Sequence, residues 1–290
     1  MRNRSAPAIV LRSRLLLIAS AVLWSTSGVL IKSPALELLP IAHRGAVLAC
    51  YRALFAAAMM IPFVRLDTIR WRPMLLPMVL SFAAMNLLFV TSMTRTSAAA
   101  AIFLQYTSVV WASLLGRLFL GERISRGNLV AMLCAVCGIV WIVSHSADSR
   151  LTGNLIALGS GLSYAGVIFC LRYLRDENSV WLVSLNHTIS GLLLLPWTLS
   201  LGVILGPSQW SLVAVLGVFQ MGLPYLLFAR GVRSVRTQEA ALLTLLEPVL
   251  NPLWVLLFWG EPVETATWVG GAMILGGLAA RYLLFSEKPA

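Results

Sequence analysis

Glu247 places a carboxylate inside a long apolar stretch, and its neighbours are residue types that could put it to use. A charged side chain near the centre of a bilayer costs about 2.5–3.5 kcal/mol on insertion scales, so it needs a reason to be there. Glu239 precedes it in the same stretch, and at 1.5 Å of rise per residue Glu247 lies about 12 Å deeper. Asn251 follows at i+4 and shares its helical face. Pro248 and Pro252 interrupt the same helix. Proline has no N–H and clashes with the carbonyl four residues back, so the carbonyls of Thr244 and Pro248 lose their helical partners. Backbone left open at membrane depth is tolerated where it is buried in protein or lines a wet cavity. Burial penalises the charged form of a carboxyl, which suits such a group to carrying a proton. The blander reading is a protonated Glu247 bonding a neighbouring helix as structural glue. A carboxylate, an amide and two free carbonyls gathered around one turn favour a site.

Two other charges fall in or beside apolar stretches. Glu239 sits at the start of its stretch beside Arg236 and reads as one half of an interfacial ion pair. Arg52 lies about seven residues into the second stretch, nearer its outer end, and three roles are open to it. It could snorkel to the interface, pair statically with Glu247, or contact a substrate carboxylate.

These side chains are positioned by a repeat. Ser108 to Glu122 reads SVVWASLLGRLFLGE and Glu247 to Glu261 reads EPVLNPLWVLLFWGE, offset by 139 positions. Ala131 and Gly138 align with Gly270 and Gly277 at the same offset. LIASAVLWSTSGV (Leu17 to Val29) matches LIALGSGLSYAGV (Leu155 to Val167) at 138. Internal repetition fixes an architecture before any other signal. About 20 apolar residues are needed to cross a bilayer, and ten segments qualify: 15–33, 46–64, 74–94, 98–120, 127–145, 153–174, 179–205, 211–230, 238–260 and 267–285. The expected fold is an all-α integral membrane protein of ten helices. Two five-helix repeats, 1–147 and 148–290, each hold an odd number of spans and so face opposite ways, as in many secondary transporters.

The repeat aligns further polar positions. Ser108 is the counterpart of Glu247, with Gln105 at i,i+3. Asn86 in span 3 matches Tyr225 in span 8, and Ser25 in span 1 matches Ser163 in span 6, with Trp24 and Tyr164 alongside. Arg52 corresponds to Asn186, counted from Pro62 and Pro196. Singly, such residues are usually helix–helix hydrogen bonds. As a matched set near the midplane, Gln105, Ser108, Asn86, Tyr225, Ser25, Ser163, Trp24 and Tyr164 outline a substrate site with Glu247, because inverted repeats place it there. Pro224, Pro248 and Pro252 interrupt spans 8 and 9, whereas their counterparts Met85, Val109 and Ser113 are expected to leave spans 3 and 4 intact, so the three prolines are candidate hinges of a more pliant second half. Spans 5 and 10 are rich in small residues (Ala131, Ala135, Gly138; Gly270, Gly271, Gly276, Gly277) and read as close packing.

Composition limits the function classes. Hydrophobic residues make up 59% of the 290-residue chain and charged ones 11%, against about 25% in soluble proteins; the mean hydropathy is +0.86. The net charge of +11 would suit nucleic acid, but its distribution points elsewhere. With the N-terminus taken as cytoplasmic, 17 of the 22 Lys and Arg fall inside: Arg2, Arg4, Arg12, Arg14, Arg65, Arg70, Arg72, Arg117, Arg123, Arg126, Arg172, Arg175, Arg230, Arg233, Arg236, Arg281 and Lys288. Four fall outside (Lys32, Arg44, Arg95, Arg150), and Arg52 is within a span. That is a topology bias, which places both termini in the cytoplasm and argues against nucleic-acid binding. The first apolar run is too long for a cleaved signal peptide, and its match to the start of the second half marks it as a retained span. Cys50, Cys134, Cys137 and Cys170 lie in spans; Cys134-x-x-Cys137 has no second ligand pair for zinc, so all four read as packing. The ten tryptophans read mainly as interfacial anchors. No metal or cofactor is expected.

An enzyme would need a constellation that is missing. There is no H-E-x-x-H and no G-x-S-x-G, the aspartates (Asp67, Asp148, Asp176) sit in loops, and of the histidines His43 and His145 lie near the outer surface while only His187 lies within a span.

IFLQYTSVVWASLLGRLFLGE in span 4, LLTLLEPVLNPLWVLLFWGE in span 9 and the five-plus-five repeat resemble the drug/metabolite transporter superfamily, specifically its EamA-like members. The resemblance covers essentially the whole chain; where the family often has a proline after Gln-Tyr-Thr-x, this chain has Val109. It implies transport of a small organic molecule through a cavity between spans 1, 3, 4, 6, 8 and 9. The expected function is a secondary transporter in the cytoplasmic (inner) membrane, not an enzyme, exporting amino acids or related metabolites by alternating access. Its partners would be the substrate, the lipid bilayer and, if transport is coupled, protons. A channel-like facilitator or a lipid flippase needs no motif and stays the alternative.

Overall fold

The computed structural model describes residues 5–119, 121, 124–235 and 237–284, and of residues 5–8, 237 and 238 the backbone alone. Ten helices are long and apolar enough to cross a membrane: Ile9–Ile31, Ile41–Phe63, Leu75–Arg95, Ala98–Phe119, Arg126–Ser144, Asp148–Tyr173, Ser179–Ser200, Pro207–Ser234, Glu239–Trp259 and Thr265–Leu284, here spans 1 to 10. The described residues contain no strand. Arg2, Arg4, Glu122, Arg123, Arg236 and Lys288, used above for the charge bias and the repeat, lie outside the described residues. Asp148, expected in a loop, is the first residue of span 6.

Local chemistry explains where the helices start and stop. The Ser97 side chain caps span 4 by accepting from Ala100 N at 3.1 Å, and Asn178 caps span 7 by accepting from Val180 N and Trp181 N. These bonds satisfy N–H groups that have no partner within the helix. At the other end, the repeated Gly-Glu has a backbone cause. Gly121 and Gly260, 139 positions apart, both take positive φ (66° and 65°) just past spans 4 and 9. A left-handed residue terminates a helix at little steric cost only if it is glycine.

The halves pack by exchange. Span 3 lies on span 6 as span 8 lies on span 1, span 4 lies on span 6 as span 9 lies on span 1, and spans 2 and 7, like spans 5 and 10, meet each other. Each pairing maps onto its partner, or onto itself, when the repeats are swapped. The small residues of spans 5 and 10 serve contact within the chain. A Cβ on Gly138 would lie 2.5 Å from Gly270 O, and one on Gly270 would lie 2.7 Å from Gly138 O. Leu133, Val136, Val140, Leu192, Leu193, Leu256 and Leu257 are exposed on the outer wall, as a lipid-facing surface requires.

Candidate functional site

Spans 4 and 9 both break at equivalent positions. Span 9 consists of Thr237–Thr244 and Leu246–Trp259, and span 4 of Ala98–Gln105 and Ser108–Phe119. The break in span 9 follows from Pro248, which cannot donate to Thr244 O. Span 4 was expected to run intact past Val109 and Ser113, and that expectation is corrected. Thr107 turns its hydroxyl back to Leu104 O at 2.6 Å, and its own N–H bonds the same carbonyl at 3.3 Å. The i→i+3 pattern so formed replaces the α-helical one without a proline. Span 3, past Met85, is continuous. In span 8, Pro224 sits in the first turn of Leu223–Gly231, directly after a π-helical segment, Leu216–Gly222, whose wider turn precedes the missing N–H.

The broken turns face a cavity of about 290 Å³. Glu247, Thr244 and Leu245 of span 9 line it, with Gln105, Tyr106, Ser108 and Val109 of span 4, Tyr164 of span 6, Trp24 of span 1 and Tyr225 of span 8. Spans 2, 7 and 10, which the resemblance did not name, add Arg52, Asn186 and Tyr282. Tyr106 Oη lies 2.9 Å from Glu247 Oε2 and 3.2 Å from Thr244 O, the carbonyl that Pro248 orphans. Trp24 stands edge-on to Tyr225 with centroids 5.0 Å apart and lies 5.4 Å from Phe228. Phe82, Met85, Phe89, Val167 and Leu171 complete a mainly apolar wall. A few fixed polar groups in an apolar cavity is the usual make-up of a small-molecule site.

Arg52 is the middle residue of span 2 rather than a residue near its outer end, and only 2% of it is exposed. Its Nε donates to Asn86 Oδ1 at 2.9 Å, and Asn86 is held in turn by donating to Ala49 O and Ser190 Oγ. The guanidinium lies 5.9 Å from the Phe89 ring centroid. Among the described residues Arg52 forms no ion pair, with Glu247 or any other carboxylate.

Four other residues of the matched polar set lie off the cavity wall. Ser25 donates to Val22 O and accepts from Trp254 Nε1. Asn251 donates to Ser27 Oγ at 2.8 Å and packs on Gly28, tying span 9 to span 1. Asn86 supports Arg52, and Ser163 bonds Gly159 O of its own helix. The structure thus brings together Trp24, Gln105, Ser108, Tyr164, Tyr225, Glu247 and Arg52, and turns Ser25, Asn86, Ser163 and Asn251 to helix contacts. Glu239 pairs with Arg14, whereas its expected partner Arg236 lies outside the described residues. Tyr106, Asn186 and Gln220 escaped the sequence reading as site residues. Tyr106 stood inside the repeated span-4 motif, and its phenol was the available signal.

The cavity has a direction. Span 1 begins on one face of the bundle, the near face, and ends on the far face. Leu171, Val183, Phe228, Ala241 and Tyr282, all in the near-face parts of their spans, line one end of the cavity. On the far face Lys32 Nζ donates to Glu261 Oε2 at 2.5 Å and to Thr96 O at 3.0 Å, while Glu261 Oε1 accepts from Ala98 N at 2.9 Å. Arg150 pairs with Glu264 at 2.8 Å, and Trp259 Nε1 donates to Val29 O. Thr96 Oγ1 also donates to Asn154 Oδ1 at 2.7 Å, and Asn154 Nδ2 to Ser146 Oγ at 2.6 Å, so the ends of spans 1, 3, 4, 5, 6, 9 and 10 are tied together there.

Comparison with known proteins gives consistent results. The profile of the EamA-like transporter family matches this chain twice, over residues 11–144 and 151–282. A protein described as an uncharacterized transporter of Archaeoglobus fulgidus is 28% identical over 267 residues, covering 90% of this chain and 93% of its own length. A pseudopaline exporter of Pseudomonas aeruginosa is 26% identical over 206 residues, 69% of this chain and 72% of that protein. A solved crystal structure, 18% identical, superposes with a TM-score of 0.68 over 94% of this chain and 96% of the other, which shows a shared fold.

Proposed function

The chain belongs to the EamA-like transporter family, a multi-pass membrane transporter, and from that premise we propose that it is a secondary carrier exporting amino acids or related small metabolites from the cytoplasm by alternating access. The observation that carries this reading is the asymmetry of the bundle. The cavity with polar mid-membrane side chains runs to the near face, whereas at the far face ion pairs tie the span ends and the hollow between spans 1, 8 and 9 is lined almost wholly by apolar side chains. A carrier alternates between such a state and its inverse, and the swapped packing of the repeats supplies the inverse. The two halves, 1–147 and 148–290, move against each other, with the breaks in spans 4, 8 and 9 as the pliant points, Pro224 and Pro248 at two of them, and Pro252 inside the continuous helix Leu246–Trp259. The near face is cytoplasmic in this reading, the protein resides in the inner membrane, and export agrees with the printed role of the Pseudomonas aeruginosa relative.

Glu247 is the proton-carrying group of this reading, and its partner geometry supplies a mechanism. The Tyr106 hydroxyl has one proton and two acceptors in reach. With Glu247 ionised, Tyr106 donates to the carboxylate. With Glu247 protonated, the carboxyl donates to Tyr106, which then donates to Thr244 O. Protonation thereby decides whether the broken turn of span 9 is held by span 4. Counterflow of labelled amino acids in proteoliposomes tests the carrier reading; flux far above carrier rates without counterflow would replace it with a channel.

A further inference from the structure

Burying a guanidinium without a counter-ion costs several kcal/mol, and the carrier's cavity wall contains one. Arg52 Nη1 is buried and has no hydrogen-bond partner among the described residues. Two side-chain oxygens on the same cavity, Asn186 Oδ1 and Gln220 Oε1, are buried and equally without partners. All three residues are at most 3% exposed. They come from spans 2, 7 and 8, whereas the Tyr106–Glu247 pair lies on spans 4 and 9.

The three are held from behind. Arg52 is fixed through Nε by Asn86, and Asn86 reaches Ser190, one turn beyond Asn186 on the same face of span 7. Gln220 is anchored by donating its Nε2 to Trp24 O at 3.2 Å. What stays unsatisfied is thus one cationic donor and two neutral acceptors. A lone ammonium would meet the Arg52 charge, and a lone anion would leave both oxygens unbonded. A carboxylate with a donor on the adjacent carbon answers all three.

We propose that Arg52, Asn186 and Gln220 form the head-group subsite of the cavity and bind a carboxylate bearing an adjacent amino group, the carboxylate on Arg52 and the amino donor on the two amide oxygens. This rests on the carrier reading above and assigns its substrate contacts. The remainder of the ligand extends along the aromatic wall towards Glu247.

The test is equilibrium binding to the full chain in nanodiscs, using radiolabelled L-amino acids, each paired with its carboxamide and its des-amino acid. In the wild type, at least one amino acid binds, and both analogues bind at least tenfold more weakly. Arg52→Gln abolishes the preference over the carboxamide, while Arg52→Lys keeps part of it. Asn186→Ala and Gln220→Ala, which leave the charge in place, lower the preference over the des-amino acid and keep the subsite testable if Arg52→Gln does not fold. Equal binding of acid and carboxamide would overturn the proposal, as would discrimination that survives Arg52→Gln or no binding by any amino acid in the panel. Binding without counterflow would sink the carrier reading and leave the subsite standing; counterflow whose selectivity ignores Arg52 would do the reverse.

Discussion

Tyr106 Oη stands 2.9 Å from Glu247 Oε2 and 3.2 Å from Thr244 O, so one phenol reaches both the deep carboxylate and the carbonyl that Pro248 deprives of its helical partner. Removing it leaves the part-buried Thr244 carbonyl and the Glu247 carboxyl without that partner, a loss of about 1–3 kcal/mol. Tyr106→Phe is expected to slow exchange by about tenfold while the protein still elutes as a single species. Unchanged exchange in the Phe variant would show that the contact is incidental.

Pro248→Ala restores an N–H to the turn, which then competes with Tyr106 for Thr244 O. Exchange should slow as span 9 straightens, and the new amide at position 248 should be protected from hydrogen exchange. A variant with wild-type rates would remove Pro248 from the set of pliant points.

The far-face closure depends on Glu261, whose two oxygens serve Lys32 and the first turn of span 4. The pair is partly exposed, with side-chain exposures of 14% and 24%, so its net worth is about 1 kcal/mol. Glu261→Gln should therefore open the far face about fivefold more often. A Thr96→Cys probe in a cysteine-free background should then label faster from outside; equal labelling would assign closure to the remaining contacts.

Spans 5 and 10 touch backbone to backbone at Gly138 and Gly270, with no room for a Cβ on either. Gly138→Val should cost about 1–3 kcal/mol and lower the melting temperature in detergent. Gly276→Ala, at a position inside the span-10 helix with nothing within 4 Å of the added Cβ, should not lower it, since alanine favours the helix over glycine.

Orientation is open to a direct check. A membrane-impermeant thiol reagent applied outside should modify Asp148→Cys and spare Asp176→Cys. The reverse pattern would invert the assignment of near and far faces, and export would become import.

The ten spans and the two repeats were legible because hydropathy and a 139-residue offset are properties of the chain itself. Glu247 was legible for the same reason, since a carboxylate is costly in an apolar run whatever the fold. What pattern could not supply was which neighbouring helix, or the cavity, each turn of a polar face meets. Asn251 lies one turn from Glu247, yet it packs on Ser27 and Gly28 while Glu247 lines the cavity. Asn86 and Ser25 are polar and buried as well, but each is consumed by a neighbouring helix. The break in span 4 was hidden because no proline announces it. Thr107 makes it by back-bonding to Leu104 O, an arrangement a threonine within a helix need not adopt. Arg52 depended on tertiary contact entirely, because only the packed bundle shows that Asn86, and not Glu247, is its partner.

Counterflow in proteoliposomes, comparing wild type with Glu247→Gln across pH, tests the central claim most directly. The account predicts substrate-specific exchange in the wild type that varies with pH, and exchange in Glu247→Gln that is either lost or independent of pH. Exchange in the variant with the wild-type rate and pH profile would contradict it and reduce Glu247 to a structural hydrogen bond.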